Sequence, residues 1–368
     1  EARRAGPTWP HAQEPSDTRP LVTHFLYAYR QEATIRAAIE GVLAQTYQPL
    51  EIVLSDDCSP DGTFGIMQEM AAAYDGPHRI VLNRNPTNLG IAAHAERIME
   101  ISSGAFIVES AGDDISRPER VERLVEAWLA TGRRARAVHS EKQDIDAYGN
   151  LLPLAPRSDI LANITPLEKL RGYHDLIGAT MGWSREVYDR FGPISDIAPF
   201  HDYPIAFRAL LLGGVEFLPE PLVLYRRGGV SAGGAARRPS ETCGYRYFYG
   251  ERIRYMRWDI DYYRRYLRDM ETVPPPDAAI CRETAQRWLR EAQHTVALAD
   301  MSYRSRVAAL PGSARMSLKY STPYFVKNNT KYILDRLFIG HLNLRKDIHA
   351  RLAARRDTGG LVTQVRNG

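Results

Sequence analysis

Long apolar runs are missing from this sequence of 368 residues. No stretch reaches the roughly 18 consecutive apolar residues that a membrane-spanning helix needs, and no signal-peptide pattern opens the chain. Cysteine is scarce, since the three residues Cys58, Cys243 and Cys281 lie far apart. An odd number of distant cysteines predicts reduced thiols in a cytoplasm-like compartment, and it argues against a disulfide framework or a zinc site.

Charge is ordinary in amount but uneven along the chain. Charged residues make up 25% and hydrophobic residues 44%, which is typical of globular proteins. The net charge is +4, whereas residues 301–368 carry 13 Lys or Arg against 3 Asp or Glu, a net of +10, which leaves −6 for the first 300 residues. The length and this division predict a large catalytic domain followed by a smaller basic region.

Strand-like and helix-like segments alternate from Leu21 to about residue 130. Apolar runs such as LVTHFLYAY, EIVLS and AFIVES are typical of buried strands. Between them apolar residues recur with helical spacing, as at Ile35, Ile39 and Val42. The alternation predicts an α/β fold with a mostly parallel sheet and helices on both faces, and ligands of such sheets bind beyond the carboxyl ends of the strands.

Two pairs of adjacent carboxylates follow two of these strands. Asp56 and Asp57 end the EIVLS segment, and Asp113 and Asp114 follow AFIVES. Because adjacent like charges repel, two such pairs at strand ends indicate a function. A divalent cation held between carboxylates would offset this repulsion, and oxygen ligands suit Mg²⁺ or Mn²⁺. A turn or a helix start is the alternative explanation for each pair.

The order of motifs from Leu21 to about Arg227 resembles that of an inverting family 2 glycosyltransferase with the GT-A fold, of the kind used in bacterial polysaccharide or glycolipid assembly. The similar segments are YAYRQEATIRAAIEGVLAQTY, SDDCSPDGT, NPTNLGIAAHAER, AGDDISRPERVE, GATMGWSREVYDRFGPI and HDYPIAFRALLLGGVEFLPEPLVLYRRGGVS. Each is weak alone, and the ordered set is specific. The resemblance implies a GT-A (Rossmann-like) α/β domain over residues 21–235, after an N-terminal arm or linker over residues 1–20.

The resemblance also implies which residues bind the donor, a nucleotide-sugar that is expected to be UDP-linked. Asp57 is implied to accept a hydrogen bond from the uracil N–H, because a carboxylate is an acceptor only, and Tyr29 to pack on the base. Asp114 is implied to ligate Mn²⁺ or Mg²⁺, with Asp113 reaching the ribose or the metal shell. The implied nucleotide-binding residues are Ala28, Tyr29, Glu32, Asp57, Asn88, Gly90 and Asp113.

Catalysis is implied to fall on Asp202, which matches the second member of the family's Glu-Asp pair and would act as the general base. His201 stands where the family has an acidic residue. Capping of a helix start is the alternative for Asp202. Trp183 is expected to give an acceptor sugar an apolar face, or else to be a plain core residue. One of Arg226 and Arg227 is expected to reach the diphosphate, and the other to be a solvated charge.

Composition changes from Glu241 onward to Tyr, Arg and Trp with helical spacing, so residues 241–368 are predicted to be a helical, basic region. Apolar residues step by three or four from Tyr249 to Leu267, and a second helix follows VPPPD. The hairpin is expected to pack on the catalytic domain or on another subunit, as in a homo-oligomer. The tail either contacts anionic lipid or is a solvated face, and no motif indicates nucleic acid.

The expected function is metal-dependent, inverting transfer of a hexosyl-type sugar from a nucleotide-sugar to a hydroxyl of a glycan or lipid-linked acceptor. The expected location is the cytoplasm, with association at the inner face of the membrane. Phosphoryl transfer is disfavoured, because neither a P-loop nor a nucleophilic Asp motif is present. Two alternatives stay open: a nucleotide-sugar-binding subunit without catalysis, and a membrane or assembly adaptor dominated by the C-terminal helices.

Overall fold

The computed structural model describes residues 19–154, 164–171, 176–194, 200–228 and 244–300. The chain divides into two compact units, Glu1–Gln293 and His294–Gly368. Most of the predicted N-terminal arm and the basic tail beyond residue 300 lie outside the described residues. Within the described ranges, no helix combines the length and apolar character that a membrane crossing requires.

Strands and helices alternate along the first unit, as the apolar periodicity predicts. The strands are β1 (Val22–Ala28), β2 (Leu50–Asp56), β3 (Arg79–Arg84), β4 (Phe106–Ala111), β5 (Ile115–Ser116), β6 (Ala137–Ile145), β7 (Met181–Ser184) and β8 (Val215–Arg226). The helices are α1 (Ile35–Leu43), α2 (Thr63–Ala72), α3 (Ile91–Ile101), α4 (Arg120–Ala130), α5 (Pro166–Leu170), α6 (Glu186–Asp189), α7 (Asp202–Leu212), α8 (Gly244–Thr272) and α9 (Ala278–Asp300), with a 3-10 turn at Gly178–Thr180.

The described strands form one sheet in the order β3-β2-β1-β4-β7-β6-β8-β5. The first four in this order are parallel, so the carboxyl ends of β1, β2 and β4 share one edge. The second half is mixed, because β7 runs antiparallel to β4 and to β6, β8 runs parallel to β6, and β5 runs antiparallel to β8. The predicted α/β fold is confirmed, and its parallel part is the half that carries the two acidic pairs.

Helices cover both faces of the sheet, because successive strand residues point to opposite sides. Leu26 packs on one face with Ile39 of α1 and Leu124 of α4. Phe25 packs on the other face with Ile98 of α3, in the cluster that also contains the buried residues of α7 and α8. Because apolar positions on both sides are buried, the sheet is a rigid base for the loops at its edge.

Helix α8 packs on α7, which is the intramolecular alternative of the sequence analysis. Arg208 Nε donates to Asp269 Oδ2 at 3.0 Å, and both side chains are almost fully buried. The rings of Phe207 and Tyr266 lie 4.2 Å apart between centroids. A buried ion pair and an aromatic contact therefore join α8 to the helix that begins at Asp202.

The buried face of α8 is rotated from the apolar seam that the pattern predicts. Tyr263 is buried as expected, but Ile260 and Leu267 are only partly buried. The most deeply buried residues in the second half of α8 are Tyr262, Tyr266, Asp269 and Met270. A search for aliphatic spacing misses this face, because its rings carry hydroxyls and its carboxylate is paired.

Candidate active site

A cavity of about 240 Å³ opens beyond the carboxyl ends of β1 and β4. Its position agrees with the rule for ligand sites in parallel sheets. Acidic, basic and aromatic side chains from distant segments share its wall. The lining includes five predicted site residues, which are Asp113, Asp114, His201, Asp202 and Arg226.

Asp57 holds the loop between β3 and α3. Its Oδ1 accepts the side-chain amide of Asn85 at 2.8 Å and the backbone N–H of Leu89 at 2.9 Å. Its Oδ2 accepts the backbone N–H of Gly90 at 2.9 Å, and Asn88 donates its amide to the Asp57 carbonyl at 3.3 Å. Asp57 therefore has a structural role, which is to fix this loop. Its contact with the base of a nucleotide stays a prediction.

Three other residues predicted to bind the nucleotide lie on the turn at the end of β1. The Ala28 carbonyl accepts the backbone N–H of Asp57 at 2.9 Å. Glu32 is exposed and accepts the backbone N–H of Gly62, at the start of α2, at 3.0 Å. Tyr29 is partly exposed. None of the three is among the described residues that line the cavity, so their contact with a nucleotide stays a prediction.

Asp113 and Asp114 expose only 7% and 5% of their surface. Asp114 Oδ1 accepts the backbone N–H of Arg226 at 2.8 Å, and Arg226 Nε donates to the Asp113 carbonyl at 2.9 Å. Burial and the negative charge of Asp113 raise the pKa of Asp114 to about 8. The helix-cap alternative does not apply to this pair, because the short strand β5 follows it directly.

The pair fits a divalent cation. A buried carboxylate whose pKa is raised by a neighbouring carboxylate is stabilised by positive charge, and oxygen is the ligand atom that Mg²⁺ and Mn²⁺ prefer. Among the described residues, no group of three or more His, Cys, Asp or Glu is placed to hold a metal ion. Two carboxylates suffice for Mg²⁺, because substrate phosphates and water usually supply its other ligands.

Asp202 is the first residue of α7 and is partly exposed. Its Oδ2 accepts the backbone N–H of Gly178 at 3.0 Å, and its buried Oδ1 has no hydrogen-bond partner within the described ranges. Burial raises the pKa of Asp202, the charge of His201 lowers it and the charge of Glu109 raises it, with a net increase. Because its bond goes to another segment, Asp202 does more than start its own helix.

Glu109 is a site residue that the sequence analysis missed. It is fully buried on β4, and its Oε2 accepts a hydrogen bond from His201 Nε2 at 2.9 Å. Burial lowers the pKa of His201, but the charge of Glu109 and this bond outweigh it, and the pKa is raised. A Cβ atom at Gly178 would lie 1.8 Å from Glu109 Oε1, so any larger residue there would displace the Glu109 carboxylate. The sequence signal that could have indicated this residue is a carboxylate inside the mostly apolar AFIVES segment.

Trp183 does not line the cavity. It lies on β7 between β4 and β6, exposes 1% of its surface and belongs to the hydrophobic core. The structure therefore favours the alternative of a plain core residue, and contact of this ring with an acceptor sugar stays a prediction. Of the two arginines, Arg226 lines the cavity, whereas the largely exposed Arg227 donates to Asp144 at 2.7 Å.

Residues 25–192 match the family model described as Glycosyl transferase family 2. "Putative glycosyltransferase EpsE" of Bacillus subtilis (strain 168) is 35% identical over 151 residues, which cover 40% of this chain and 53% of that relative. "Succinoglycan biosynthesis protein ExoO" of Rhizobium meliloti (strain 1021) is 36% identical over 122 residues, 32% of each chain. The chain thus spans about half the length of the first of these relatives, and less of the second.

The mannosyltransferase PcManGT from Pyrobaculum calidifontis, solved in complex with GDP-Man and Mn²⁺, is similar with a TM-score of 0.52 at 20% identity, covering 91% of this chain and 90% of that one. This likeness shows the fold alone, and it agrees with the GT-A architecture that the motifs imply. The family model ends at residue 192, so Asp202, Arg226 and Tyr255 reach the cavity from segments beyond it.

Proposed function

We propose that this chain, whose residues 25–192 match the model of glycosyltransferase family 2, moves a sugar from a UDP-linked donor to a hydroxyl group of a glycan or glycolipid, with inversion. The meeting of Asp113, Asp114 and Asp202 at one cavity carries the proposal. Through a divalent cation, the first two would stabilise the negative charge of a leaving diphosphate. The third would take the proton of an attacking hydroxyl. Sugar transfer requires that the negative charge on the leaving group is stabilised and that the proton of the acceptor hydroxyl is removed.

The donor end of the cavity is the end that contains Asp113 and Asp114. Asp113 and Asp114 would hold Mg²⁺ or Mn²⁺ there, and the ion would supply positive charge against a leaving nucleoside diphosphate. Arg226 adds a guanidinium to the same wall, and its hydrogen bond to the Asp113 carbonyl keeps it in place. Asp57 fixes the loop that ends at Gly90, which supports our proposal that this edge of the sheet receives the uracil base.

Asp202 is the proposed general base. Gly178 fixes its Oδ2, while the Oδ1 atom has no hydrogen-bond partner within the described residues and can accept the proton of the acceptor hydroxyl. Burial raises the pKa of this carboxyl toward neutral pH, which makes it a stronger base. Glu109 and His201 act as positioning residues, because their hydrogen bond ties the segment just before Asp202 to β4.

Polysaccharide or glycolipid assembly is the proposed setting. A relative named for succinoglycan biosynthesis supports it, with 36% identity over 122 residues. Contact of the basic tail with anionic lipid remains a proposal, as do oligomerisation through the C-terminal helices and a cytoplasmic location. Sedimentation with anionic vesicles at low salt tests the lipid contact, since each Lys or Arg near such a surface contributes about 1 kcal/mol.

Calorimetric titration with UDP in Mn²⁺, in Mg²⁺ and in EDTA tests the donor proposal, and GDP titrated in the same buffers tests the choice of base. We expect micromolar binding of UDP with a divalent ion and weak binding in EDTA, on the order of tenfold or more apart. Equal affinity in EDTA would contradict the metal role. Tighter binding of GDP would contradict the uracil assignment alone, and binding without hydrolysis or transfer across a donor and acceptor panel would favour a non-catalytic subunit.

A further inference from the structure

The cavity has an aromatic wall that the donor chemistry does not use. Phe200 and Tyr203 flank the proposed base along the chain, and Tyr255 of α8 lines the same cavity. Tyr255 exposes 39% of its surface, although its neighbour Tyr262 exposes only 3%. Tyr263 and Tyr266 of the same helix are buried as well, so an exposed tyrosine at the edge of the cavity indicates a contact with a ligand.

Helix α8 holds this wall firmly against the segment that leads to Asp202. Tyr262 accepts the backbone N–H of Phe200 at its hydroxyl, at 3.1 Å. Trp258 meets the Phe200 ring edge-on at 5.2 Å between centroids and the Tyr255 ring edge-on at 4.9 Å. Trp258 therefore positions Tyr255, and Phe200, two residues before the proposed base, positions Trp258.

We propose that Tyr255, with Phe200 and Tyr203, forms the acceptor site, and that its ligand is a sugar ring of a glycan acceptor. This inference rests on the proposed glycosyltransferase function. A sugar presents an apolar face of C–H groups and a rim of hydroxyls, which suits a tyrosine ring that carries its own hydroxyl. The donor end of the cavity carries carboxylates, whereas these three residues bear no charge.

The wall also gives the chain its own acceptor specificity. Tyr255 and Trp258 lie beyond residue 192, where the family match ends. The donor residues Asp57, Asp113 and Asp114 lie within the match. A donor site inside the family match can therefore be combined with an acceptor site built by α8, and exchange of Tyr255 should change the acceptor without changing the donor.

The test compares Tyr255→Ala and Tyr255→Phe with Tyr148→Ala, a matched control at a tyrosine that is 92% exposed and outside the cavity lining. Each variant is assayed for UDP affinity, for hydrolysis of UDP-glucose, UDP-galactose and UDP-N-acetylglucosamine, and for binding of the methyl glycosides of these sugars. Binding of glycosides is followed by saturation-transfer NMR in the presence of UDP and Mg²⁺, which is diamagnetic and leaves the ligand signals sharp. The same measurement with short-chain phospholipid micelles tests a lipid tail as the occupant.

We expect Tyr255→Ala to weaken glycoside binding by about tenfold, the loss typical of a truncated aromatic anchor, with UDP affinity and donor hydrolysis unchanged. Tyr255→Phe should retain most of the glycoside binding, because the ring stays and only the hydroxyl is lost, and Tyr148→Ala should stay near wild type. The proposal is overturned if wild-type protein binds none of the glycosides, if Tyr255→Ala binds them normally, or if only micelles respond to the substitution. Absence of UDP binding in the wild type would instead contradict the donor function itself.

Discussion

The two ends of the cavity hold their carboxylates in different ways. At the proposed donor end, Asp114 lines the cavity and accepts the backbone N–H of Arg226. Asp57 lies at the same edge of the sheet but outside the lining, and it accepts the backbone N–H groups of Leu89 and Gly90. At the acceptor end, Asp202 begins a helix, accepts one N–H from Gly178, and adjoins the buried Glu109–His201 pair. The donor end thus depends on local strand and loop geometry, whereas the acceptor end depends on packing between distant segments.

The difference teaches where each end tolerates change. A carboxylate that accepts backbone N–H groups keeps its place as long as the sheet is intact, because the strands themselves fix the donors. At the acceptor end a single backbone N–H, that of Gly178, holds Asp202, and α8 supports its helix through the Arg208–Asp269 ion pair and the Phe207–Tyr266 contact. Substitutions in α8 should therefore affect acceptor chemistry before they affect donor binding.

The largest expected effect is on the transfer rate and comes from replacing the proposed base at the acceptor end. Asp202→Asn should lower the transfer rate by about 10²–10⁴-fold, about 3 to 5 kcal/mol of barrier, because the amide cannot take the acceptor proton. Its melting temperature should stay near wild type, since the amide oxygen still accepts the Gly178 N–H. Initial-rate assays and thermal melts measure the two quantities. If the variant kept roughly a third or more of wild-type turnover, another residue would be the general base. His201 would be the next residue to test.

A second experiment breaks the packing that holds the acceptor end. Asp269→Ala leaves the buried Arg208 guanidinium without its carboxylate partner, which should lower the free energy of unfolding by about 3–5 kcal/mol. The matched double variant Arg208→Met with Asp269→Leu removes both charges and should recover most of that loss. Urea denaturation measures both. Equal stability of Asp269→Ala and wild type would show that α8 is not fixed by this pair.

A third experiment concerns the positioning pair. Glu109→Gln should reduce transfer by about tenfold while UDP affinity stays unchanged, because the amide oxygen can still accept from His201 but lacks the negative charge that strengthens this hydrogen bond. Glu51→Gln is the matched control, because Glu51 is equally buried but lies at the opposite end of its strand and bonds to Thr23 and Ser103. If both variants lose transfer equally, Glu109 acts through stability alone.

The smallest expected effect concerns Trp183. Trp183→Phe should cost about 1–2 kcal/mol of unfolding free energy, less than truncation of an aromatic core residue to Ala. Acceptor affinity should not change, because the ring lies in the core rather than at the cavity. Urea denaturation and the glycoside binding assay are the two measurements. Weaker glycoside binding without a loss of stability would return Trp183 to the acceptor site.

The comparison of the two ends also explains what the sequence predicts well. Alternating apolar periods predict β1 to β4 and α1 to α4, and the doubled carboxylates mark the ends of β2 and β4, because these signals are local. Asp113, Asp114 and Asp202 were predicted to belong to one site, and the structure brings them to one cavity. Their individual roles remain predictions.

Features that depend on distant pairing are the ones that sequence patterns miss. Glu109 finds its partner His201 after 92 residues, and a buried carboxylate within an apolar run looks like an ordinary strand residue. Trp183 belongs to a strand inserted antiparallel between β4 and β6, and no local signal shows that both its faces are covered. Tyr255 reaches the cavity only because α8 docks on α7.

The most direct test of the two-ended cavity is UDP calorimetry in Mn²⁺ on Asp114→Ala and Asp202→Asn side by side. Asp114→Ala should lose most UDP affinity and its dependence on Mn²⁺, because it removes a proposed ligand of the ion. Asp202→Asn should bind UDP within about twofold of wild type, because its role begins with the acceptor proton. If both variants lost UDP binding to the same extent, or Asp114→Ala retained wild-type affinity, the division of the cavity into donor and acceptor ends would be contradicted.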